Sequence, residues 1–449
     1  MRRRQVRMFS EPELEAAGER GAVPLIAPDV RIHKPDELTW WDWTVFLLHT
    51  AAEIEHALLA QYLYAAYSLD RGAGGQVQQW RRTIVGIARE EMAHLLTVQN
   101  LLRFIGGPLN LEREDFPFLT FLYPFPLTLE PLTKASLAKY VAAEMPADPP
   151  QPKEVIDEVV ARATGATGGL AVNRVGVLYE TLAGIFEDDD KLADGDLRPA
   201  TATGLQATTS DWFGGPPLIV RAVGSRAEAV DALRAVGVQG EGLANPPAGA
   251  PPSHFDHFFG IYSAFPDPGT APAPTRPVAS NPNTLRDQSA DADLERGRIT
   301  HPTTRLWAHL CNVRYRMLLL DLTHALHLPE PMEDPGTGVT TSRGNLRDWT
   351  FEEMRLGVGG IAKLLTTRPL KQAPAAGDPA NAGAPFELPY TLALPDDERD
   401  RWRLHLALLD TAGELIDRIE AADGPSELLG DLRASDQAAR AVVTAQVPP

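Results

Sequence analysis

The stretch HTAAEIEHALLAQYLYAAYSL at residues 49–69 and the stretch WRRTIVGIAREEMAHLLTVQNLLRFIGG at residues 80–107 decide the fold predicted for this chain. Both segments are apolar on nearly all sides at helical spacing, which predicts two buried helices. Each nevertheless carries acid in its middle, with Glu55 in the first and Glu91 in the second. A buried carboxylate must be paired, protonated or bound to a metal ion. We therefore treat both acids as candidate ligands.

The second stretch contains a Glu-x-x-His motif, Glu91-Met92-Ala93-His94. Positions i and i+3 lie on one face of a helix, so a carboxylate and an imidazole there can grip one ion. Glu55 from the facing helix would then complete half of a dinuclear site. The alternative interpretation is a chance pairing in a solvated or purely structural acid cluster, because short motifs give many false positives. The apolar surroundings favour the metal site.

Composition narrows the classes of protein that this chain can represent. The 449 residues carry a formal net charge of −18 at pH 7, which argues against nonspecific binding of nucleic acid or an anionic membrane. No apolar run approaches the roughly 20 residues of a membrane span. The single cysteine, Cys311, excludes an intramolecular disulfide and a thiolate metal cluster within one chain. A cytoplasmic location is predicted, since no secretory signal is recognised.

The sequence predicts four parts: an irregular arm (1–37), a metal-binding helical bundle (38–265), a Pro- and Ala-rich linker (266–300) and a helical extension that packs on the bundle (301–449). Hydrophobic periodicity and helix stop signals give the predicted helices. In the bundle they are 36–68 with a break near 40–43, 76–104, 134–144, 153–163, 171–186, 225–238 and one that starts at Ser253. In the extension they are 302–327, 349–366 and 396–422.

The second half of a dinuclear site needs ligands from later helices, and two sets compete. One set consists of Glu180, Glu241 and His254, in which the chain between Glu241 and His254 is interrupted by a loop. The rival is the continuous Asp-x-x-His of Asp321 and His324 on an apolar helix. Spacing favours the rival, whereas the glycines that flank Glu241 favour the first set because glycine permits a close backbone approach.

The order of the motifs resembles a known family. They are Glu55 with Tyr62-Leu63-Tyr64-Ala65-Ala66-Tyr67-Ser68, then Glu90-Glu91-Met92-Ala93-His94, Asn100-Leu101-Leu102 with Gly106-Gly107, Gln239-Gly240-Glu241-Gly242 and Ser253-His254-Phe255. Over residues 40–265 they resemble the ferritin-like domain of the imine-dimerising enzymes of bisindole biosynthesis, the violacein and rebeccamycin type (iminophenyl-pyruvate dimer synthase-like). The resemblance implies an all-α fold: a ferritin-like four-helix bundle with long loops and a C-terminal helical extension.

The same resemblance implies an iron-dependent oxidative activity on an amino-acid-derived imine. It makes Glu55, Glu91, His94, Glu241 and His254 the leading ligands. Members of the family often carry an acid where this chain has Val177, and Glu180, one turn on, is the candidate substitute. The bisindole enzymes are also considerably longer than this chain. They have been linked to haem, which the carboxylate pattern here does not predict.

The leading functional hypothesis is an iron-dependent oxidoreductase of specialised metabolism with a mono- or dinuclear centre. A carboxylate- and imidazole-rich donor set suits iron or manganese, and zinc stays open. Tyr62 and His257 are the candidate catalytic residues, and the candidate substrate is a small molecule such as an aromatic imino acid. A homodimer is a further expectation, with residues 39–46 and 116–126 as its contact. The alternative function is a non-enzymatic ferritin-like protein that binds metal or serves as a scaffold in a complex.

Overall fold

The computed structural model describes residues 32–113, 122–198, 205–213, 218–242, 249–270, 272–388 and 392–447. The predicted arm at 1–37 therefore lies almost entirely outside the described residues. Over the described ranges the chain is all-α, with β pairing confined to isolated bridges. The α-helices are α1 (Trp40–Ser68), α2 (Gly75–Phe104), α3 (Lys134–Ala143), α4 (Lys153–Ala166), α5 (Gly176–Phe186), α6 (Thr209–Phe213), α7 (Arg226–Glu241), α8 (His254–Ala264), α9 (Ala292–Gly297), α10 (Pro302–His327), α11 (Ser342–Glu352), α12 (Gly359–Leu365), α13 (Glu398–Asp423) and α14 (Glu427–Gln446).

Helix α1 begins at Trp40, four residues after the predicted start, and runs without a break. Thr39 caps it through a capping box, in which the Thr39 hydroxyl accepts a hydrogen bond from the Asp42 N–H and the Asp42 carboxylate accepts one from the Thr39 N–H. The break predicted near residues 40–43 is wrong, because Trp43 is fully buried and packs as part of a continuous helix.

The tryptophans of this region pack inside the chain. Trp43 lies in the main hydrophobic core, and Trp41 Nε1 donates a hydrogen bond of 2.8 Å to the Ile105 carbonyl. Trp40 and Trp41 are only partly buried, so a dimer contact at residues 39–46 stays a prediction. Part of the other expected contact, 116–126, lies outside the described residues, and the homodimer itself stays a prediction.

The bundle is built around the pair α1 and α2, which pack along each other. Helix α5 packs on α1 and α7, and α3 packs on α4 and α8. Several boundaries differ from the sequence prediction, and α4 ends at Ala166, three residues later than predicted. Helix α5 starts at Gly176, five residues later than predicted, and α7 continues through Gly240 to Glu241. Ser253 caps α8 as predicted, through a capping box with Asp256.

The extension contains the three predicted helical regions and one that the sequence analysis missed. The region predicted at 349–366 is α11, a π-helical turn (Glu353–Val358) and α12. The missed helix is α14, which buries Leu429, Leu432, Ala439 and Val443 along one face. This stripe is short and contains small residues, so its helical periodicity is weak in the sequence.

A buried charge cluster joins α10, the π-helical turn and α14. Arg314, which is inaccessible to solvent, donates to Glu353 Oε1 at 2.8 Å and to both carboxylate oxygens of Asp436 at 2.5 and 2.6 Å. Burial raises the pKa of Glu353 to about 7, the charge of Arg314 opposes this shift, and the charges of Asp321 and Asp436 add to it. The last helix is thus tied to the centre of the extension by paired buried charges.

The segment predicted as a linker, 266–300, is hydrogen-bonded to both halves of the chain. The Arg276 N–H donates to the Ser68 carbonyl at the end of α1, at 2.8 Å, and the Ala279 N–H donates to the Asn381 carbonyl at 2.9 Å. The division into domains stays a prediction. None of the helices in the described ranges combines the length and apolar character needed to cross a membrane.

Candidate metal centre

Four elements of the bundle converge on one cluster of carboxylates and imidazoles. Helix α1 supplies Glu55, α2 supplies Glu91 and His94, the residue after α3 is Glu144, and α8 begins with His254. Each of these five residues is at most 3% exposed to solvent. Such burial is rare for ionisable side chains unless they are paired or bind a cation.

The five side chains form two groups that share Glu91. One group is Glu55, Glu91 and His94, the other is Glu91, Glu144 and His254, and within each group the candidate ligand atoms lie within 4.8 Å of one another. In the first, His94 Nδ1 lies 2.9 Å from Glu91 Oε2 and 3.4 Å from Glu55 Oε2. In the second, His254 Nδ1 lies 3.1 Å from Glu91 Oε1 and 3.8 Å from Glu144 Oε2. Each oxygen of Glu91 therefore faces one group.

The donor atoms of this cluster fit a pair of metal ions. Three buried atoms, Glu55 Oε2, Glu91 Oε1 and His254 Nδ1, make no hydrogen bond of good geometry to the described residues, although each lies within 3.4 Å of a carboxylate or imidazole of its own group. An unpartnered buried acceptor is costly in free energy, and a bound cation removes that cost. Carboxylate oxygens and imidazole nitrogens without thiolate suit iron, manganese or zinc.

The protonation of the cluster shows how its charges balance. Burial, followed by the charge of Glu91, raises the pKa of Glu55 to about 8. Burial alone would raise the pKa of Glu91, but His254 and His94 hold it below its usual range. Burial opposes the charged form of His94, and the neighbouring carboxylates of Glu55 and Glu91 nevertheless raise its pKa to about 10. A metal ion requires neutral imidazole, so its binding would displace these protons.

Each terminal carboxylate accepts a hydrogen bond from a buried tyrosine. The Tyr179 hydroxyl donates to Glu55 Oε1, and the Tyr62 hydroxyl donates to Glu144 Oε1 at 2.6 Å. In both pairs the other carboxylate oxygen, Oε2, faces the histidine of its group. Tyr62, predicted from the sequence as a catalytic residue, thus contacts the cluster directly.

Each histidine is oriented by a partner at its outer nitrogen. His94 Nε2 lies 3.0 Å from Gln239 Oε1, and His254 Nε2 lies 2.8 Å from Glu90 Oε2. Because each acceptor oxygen accepts a hydrogen bond from Nε2–H, the neutral imidazole keeps its proton on Nε2 and leaves Nδ1 free to act as a ligand. Both rings therefore present Nδ1 to the cluster.

The end of α7 lies against the centre and contains a glycine for steric reasons. A Cβ built on Gly240 would lie 2.9 Å from Glu144 Oε2, closer than side-chain contacts normally come. Glycine at this position lets the helix backbone approach the carboxylate.

Glu241, a leading ligand in the sequence analysis, is placed outside both groups. Arg174 Nη2 donates to its Oε2 at 2.6 Å, and the Gly176 N–H donates to its Oε1 at 3.1 Å. A Cβ on Gly176 would lie 2.4 Å from either oxygen, so only glycine leaves room for this carboxylate. Burial raises the pKa of Glu241 to about 7, although Arg174 opposes the shift. Its role as a metal ligand stays a prediction that this geometry does not support.

The other candidates are also located by the structure. Glu180 is exposed on α5, so it takes no part in either group. His257 is half-buried on α8, one turn after His254. The rival pair Asp321 and His324 is not part of either group. Both side chains instead contact His405, at 3.1 and 2.9 Å.

Sequence reasoning missed Glu144, Arg174 and Gln239. Glu144 had a usable signal, because it is the acid that ends a helix segment that is apolar except for Lys139: Leu137-Ala138-Lys139-Tyr140-Val141-Ala142-Ala143. Arg174 and Gln239 had none, since a lone arginine before a helix and a lone glutamine near a helix end are usually solvated.

Comparison with known proteins agrees with the fold. Residues 48–263 match the model of the Ferritin-like family. This part of the chain, from α1 to α8, contains all five clustered residues and forms a ferritin-like domain. The all-α, ferritin-like fold predicted from the sequence is confirmed.

Two curated relatives agree with the predicted resemblance. Dichlorochromopyrrolate synthase of Lentzea aerocolonigenes is 31% identical over 159 residues, an alignment that covers 30% of this chain and 16% of that enzyme. The 2-imino-3-(indol-3-yl)propanoate dimerase of Chromobacterium violaceum is 30% identical over 146 residues, which covers 25% of this chain and 14% of that enzyme. The predicted resemblance is confirmed, although the chain matches only a small part of the length of these relatives.

A solved structure also matches the chain. It is the crystal structure of a ferritin-like protein from Caulobacter vibrioides, with 18% sequence identity and a TM-score of 0.40, and the match covers 70% of this chain and 95% of that one.

Proposed function

We propose that this protein is an iron-dependent oxidoreductase of specialised metabolism that acts on an amino-acid-derived imine. The observation that carries the proposal is the arrangement around Glu91, whose two oxygens face two separate histidine–carboxylate groups inside the bundle. The substrate class is supported by a relative, since the Chromobacterium violaceum enzyme is named as a dimerase of an indolyl imino acid.

In this proposal Glu91, Glu55 and His94 would hold one ion, and Glu91, Glu144 and His254 would hold the other. Bound iron would supply the redox chemistry with O₂ that these side chains lack. Manganese would fit the same donors, whereas zinc would fit them without redox activity. Haem is not part of the proposal, because the buried groups form two clusters of ion ligands rather than an axial ligand in an apolar slot.

Two residues near the centre have proposed roles in orientation and proton transfer. Tyr62 holds Glu144 through the hydrogen bond from its hydroxyl, which fixes the carboxylate in one orientation. His257 lies on α8 three residues after His254 and is half-buried. Burial lowers the pKa of its imidazole. It is therefore neutral at pH 7 and can accept a proton and pass it to solvent. A small-molecule substrate, a cytoplasmic location and a homodimer remain parts of the prediction.

Metal content tests the centre directly. Protein purified without chelator is expected to hold two iron ions per chain by elemental analysis, with anomalous diffraction peaks beside Glu91. Glu91→Gln is expected to lose both ions, because one carboxylate serves both positions. Glu180→Gln is the matched control, since it removes an exposed acid outside both groups and should keep both ions. Unchanged metal content in Glu91→Gln and in His94→Ala would refute the assignment.

Oxygen consumption tests the activity. An aromatic 2-imino acid, generated in situ from an aromatic amino acid by an amino-acid oxidase with catalase present, serves as the substrate. The iron-loaded protein is expected to consume the imine and to take up O₂ beyond the amount that the amino-acid oxidase uses. The Glu91→Gln variant is expected to do neither. Stoichiometric iron without any imine-dependent O₂ uptake would favour the alternative function, a metal-binding protein that is not an enzyme.

A further inference from the structure

The two halves of the candidate centre are nearly the same. Each half has a histidine that presents Nδ1, and each has a terminal carboxylate whose outer oxygen accepts a hydrogen bond from a tyrosine. The pairs are Glu55 with Tyr179 and Glu144 with Tyr62. The fifth residue, Glu91, gives one oxygen to each half. Comparison of the two halves therefore isolates whatever differs between them.

One difference in charge lies at the outer nitrogens of the histidines. His254 Nε2 meets the carboxylate oxygen Oε2 of Glu90 at 2.8 Å, whereas His94 Nε2 meets the amide oxygen Oε1 of Gln239 at 3.0 Å. His254 thus donates a hydrogen bond to a charged group, and His94 donates one to a neutral group. Glu90 and Gln239 come from α2 and α7 respectively, so the two partners are placed independently.

A charged acceptor changes the metal affinity of the imidazole that it contacts. A carboxylate that accepts a hydrogen bond from Nε2–H raises the basicity of Nδ1 and fixes the ring orientation. Loss of such a partner typically lowers metal affinity by about 10- to 100-fold. It also places a negative charge near the cation, and hydrogen bonds to a charged group are roughly twice as strong as neutral ones. A neutral amide fixes the orientation without the charge.

We propose that Glu90 makes the two positions inequivalent, so that the position of Glu144 and His254 binds its ion first and more tightly than the position of Glu55 and His94. The inference rests on the proposed metal centre and adds a loading order to it. Glu90 acts here as a positioning residue, since it contacts His254 and is not one of the five clustered ligands. We expect the affinities of the two positions to differ by about tenfold or more.

The location of Glu90 makes its charge replaceable without disturbing the core. Its side chain is 20% exposed, in contrast to the ligands, which are almost inaccessible. Glu90→Gln keeps the size of the side chain and an acceptor oxygen for His254 Nε2 and removes only the charge. The variant gives His254 the same kind of partner that His94 has in Gln239.

The test is an anaerobic titration of metal-free, full-length protein with Co²⁺, followed by the visible absorption of the bound ion and by a competing chelator. The wild type is expected to bind two ions in two resolved steps. Glu144→Gln should lose the tight step and Glu55→Gln the weak one, which assigns the steps to positions. Glu90→Gln should bring the two steps together, by weakening the tight step about tenfold.

A reciprocal exchange separates the charge effect from a structural effect. Gln239→Glu placed in the Glu90→Gln background is expected to restore two resolved steps with the order reversed, so that the tight step now depends on Glu55. Glu180→Gln is the control and should leave both affinities unchanged. Thermal unfolding of the metal-free variants shows whether any of them is merely destabilised.

The outcomes separate this inference from the proposed centre. Two ions bound with unchanged, resolved affinities in Glu90→Gln would overturn the role of Glu90 and leave the centre intact. Two equal affinities in the wild type would overturn it as well. A wild type that binds no Co²⁺ would overturn both the centre and the loading order.

Discussion

The two tyrosines at the centre differ from a third tyrosine nearby in what their hydroxyl groups do. Tyr62 donates to Glu144, and its ring packs edge-on against Tyr140 with a centroid separation of 4.9 Å. The Tyr140 hydroxyl is buried and has no hydrogen-bond partner among the described residues. Two adjacent aromatic rings of the same type therefore have opposite energetic roles: one satisfies a carboxylate and the other leaves a polar group unsatisfied.

Substitution of each tyrosine by phenylalanine tests this difference. Tyr62→Phe removes the donor that orients Glu144, so metal affinity at that position is expected to fall about 10- to 100-fold. Tyr140→Phe removes an unsatisfied hydroxyl and is expected to leave metal binding unchanged while stabilising the fold by ~1 kcal/mol. Chelator competition and urea unfolding measure the two effects. Equal effects of both substitutions on metal affinity would show that the hydrogen bond to Glu144 is not what matters.

The last turn of α7 contacts the centre through consecutive residues. Gln239 meets His94, Gly240 lies against Glu144, and Glu241 meets Arg174 and Gly176. Glycine is a poor helix former, so Gly240 inside α7 lowers the stability of the helix relative to alanine. We infer that the close approach to Glu144 is the reason for glycine at this position.

Two glycines of α7 permit a matched comparison. Gly240→Ala is expected to push the end of the Glu144 side chain, because the new Cβ would lie 2.9 Å from Oε2. Since a flexible carboxylate can move, the melting temperature should change little while metal affinity falls. Gly237→Ala would place its Cβ 3.9 Å from the Tyr179 Cβ, an ordinary contact. It is expected to stabilise the helix by ~0.5–1 kcal/mol and to leave metal affinity unchanged. A normal metal affinity in Gly240→Ala would contradict the steric argument.

At the scale of the whole molecule, buried ion pairs connect the helices of the extension. Arg314 forms ion pairs with both Glu353 and Asp436, and the charge of Asp321 also acts on Glu353. Three acids therefore surround one arginine. Burial and the neighbouring acids keep the pKa of Glu353 at about 7, above its usual value of 4.5. Between these two values the folded chain keeps a proton that the unfolded chain releases, so stability falls as the pH rises through this window.

Unfolding at two pH values tests this linkage. The Glu353 contribution is expected to lower the free energy of unfolding by on the order of 3 kcal/mol between pH 4 and pH 8. Glu353→Gln keeps the acceptor for Arg314 and cannot titrate, so it should lack this part of the pH dependence. Urea titrations of both proteins at pH 4 and pH 8 give the difference. The same pH dependence in the variant and the wild type would contradict the raised pKa of Glu353.

The sequence predicts most of the fold because the bundle helices carry long apolar faces and clear end signals. It predicts four of the five clustered residues, Glu55, Glu91, His94 and His254, because acids and imidazoles stand out inside such helices. It does not predict Glu144, which follows the end of α3 and has no ligand partner at helical spacing on its own helix.

The preference for Glu241 shows a different limit of the sequence. The flanking glycines do mark a close backbone approach, but the approach brings Gly240 to Glu144 and leaves Glu241 with Arg174. That arginine lies before α5, far away in the chain, so no local pattern connects the two. Helix α14 was not predicted because the apolar residues that it buries are few and widely spaced.

The end of α7 has a consequence for how this chain can vary in length. Successive residues of a helix point about 100° apart, so Gln239, Gly240 and Glu241 keep their three neighbours only while the helix holds its register. An insertion or deletion of one residue within α7 would rotate all three away together, and no single compensating substitution would restore them. Evolutionary gain or loss of residues should therefore spare this helix and accumulate in the connection that follows Gly242.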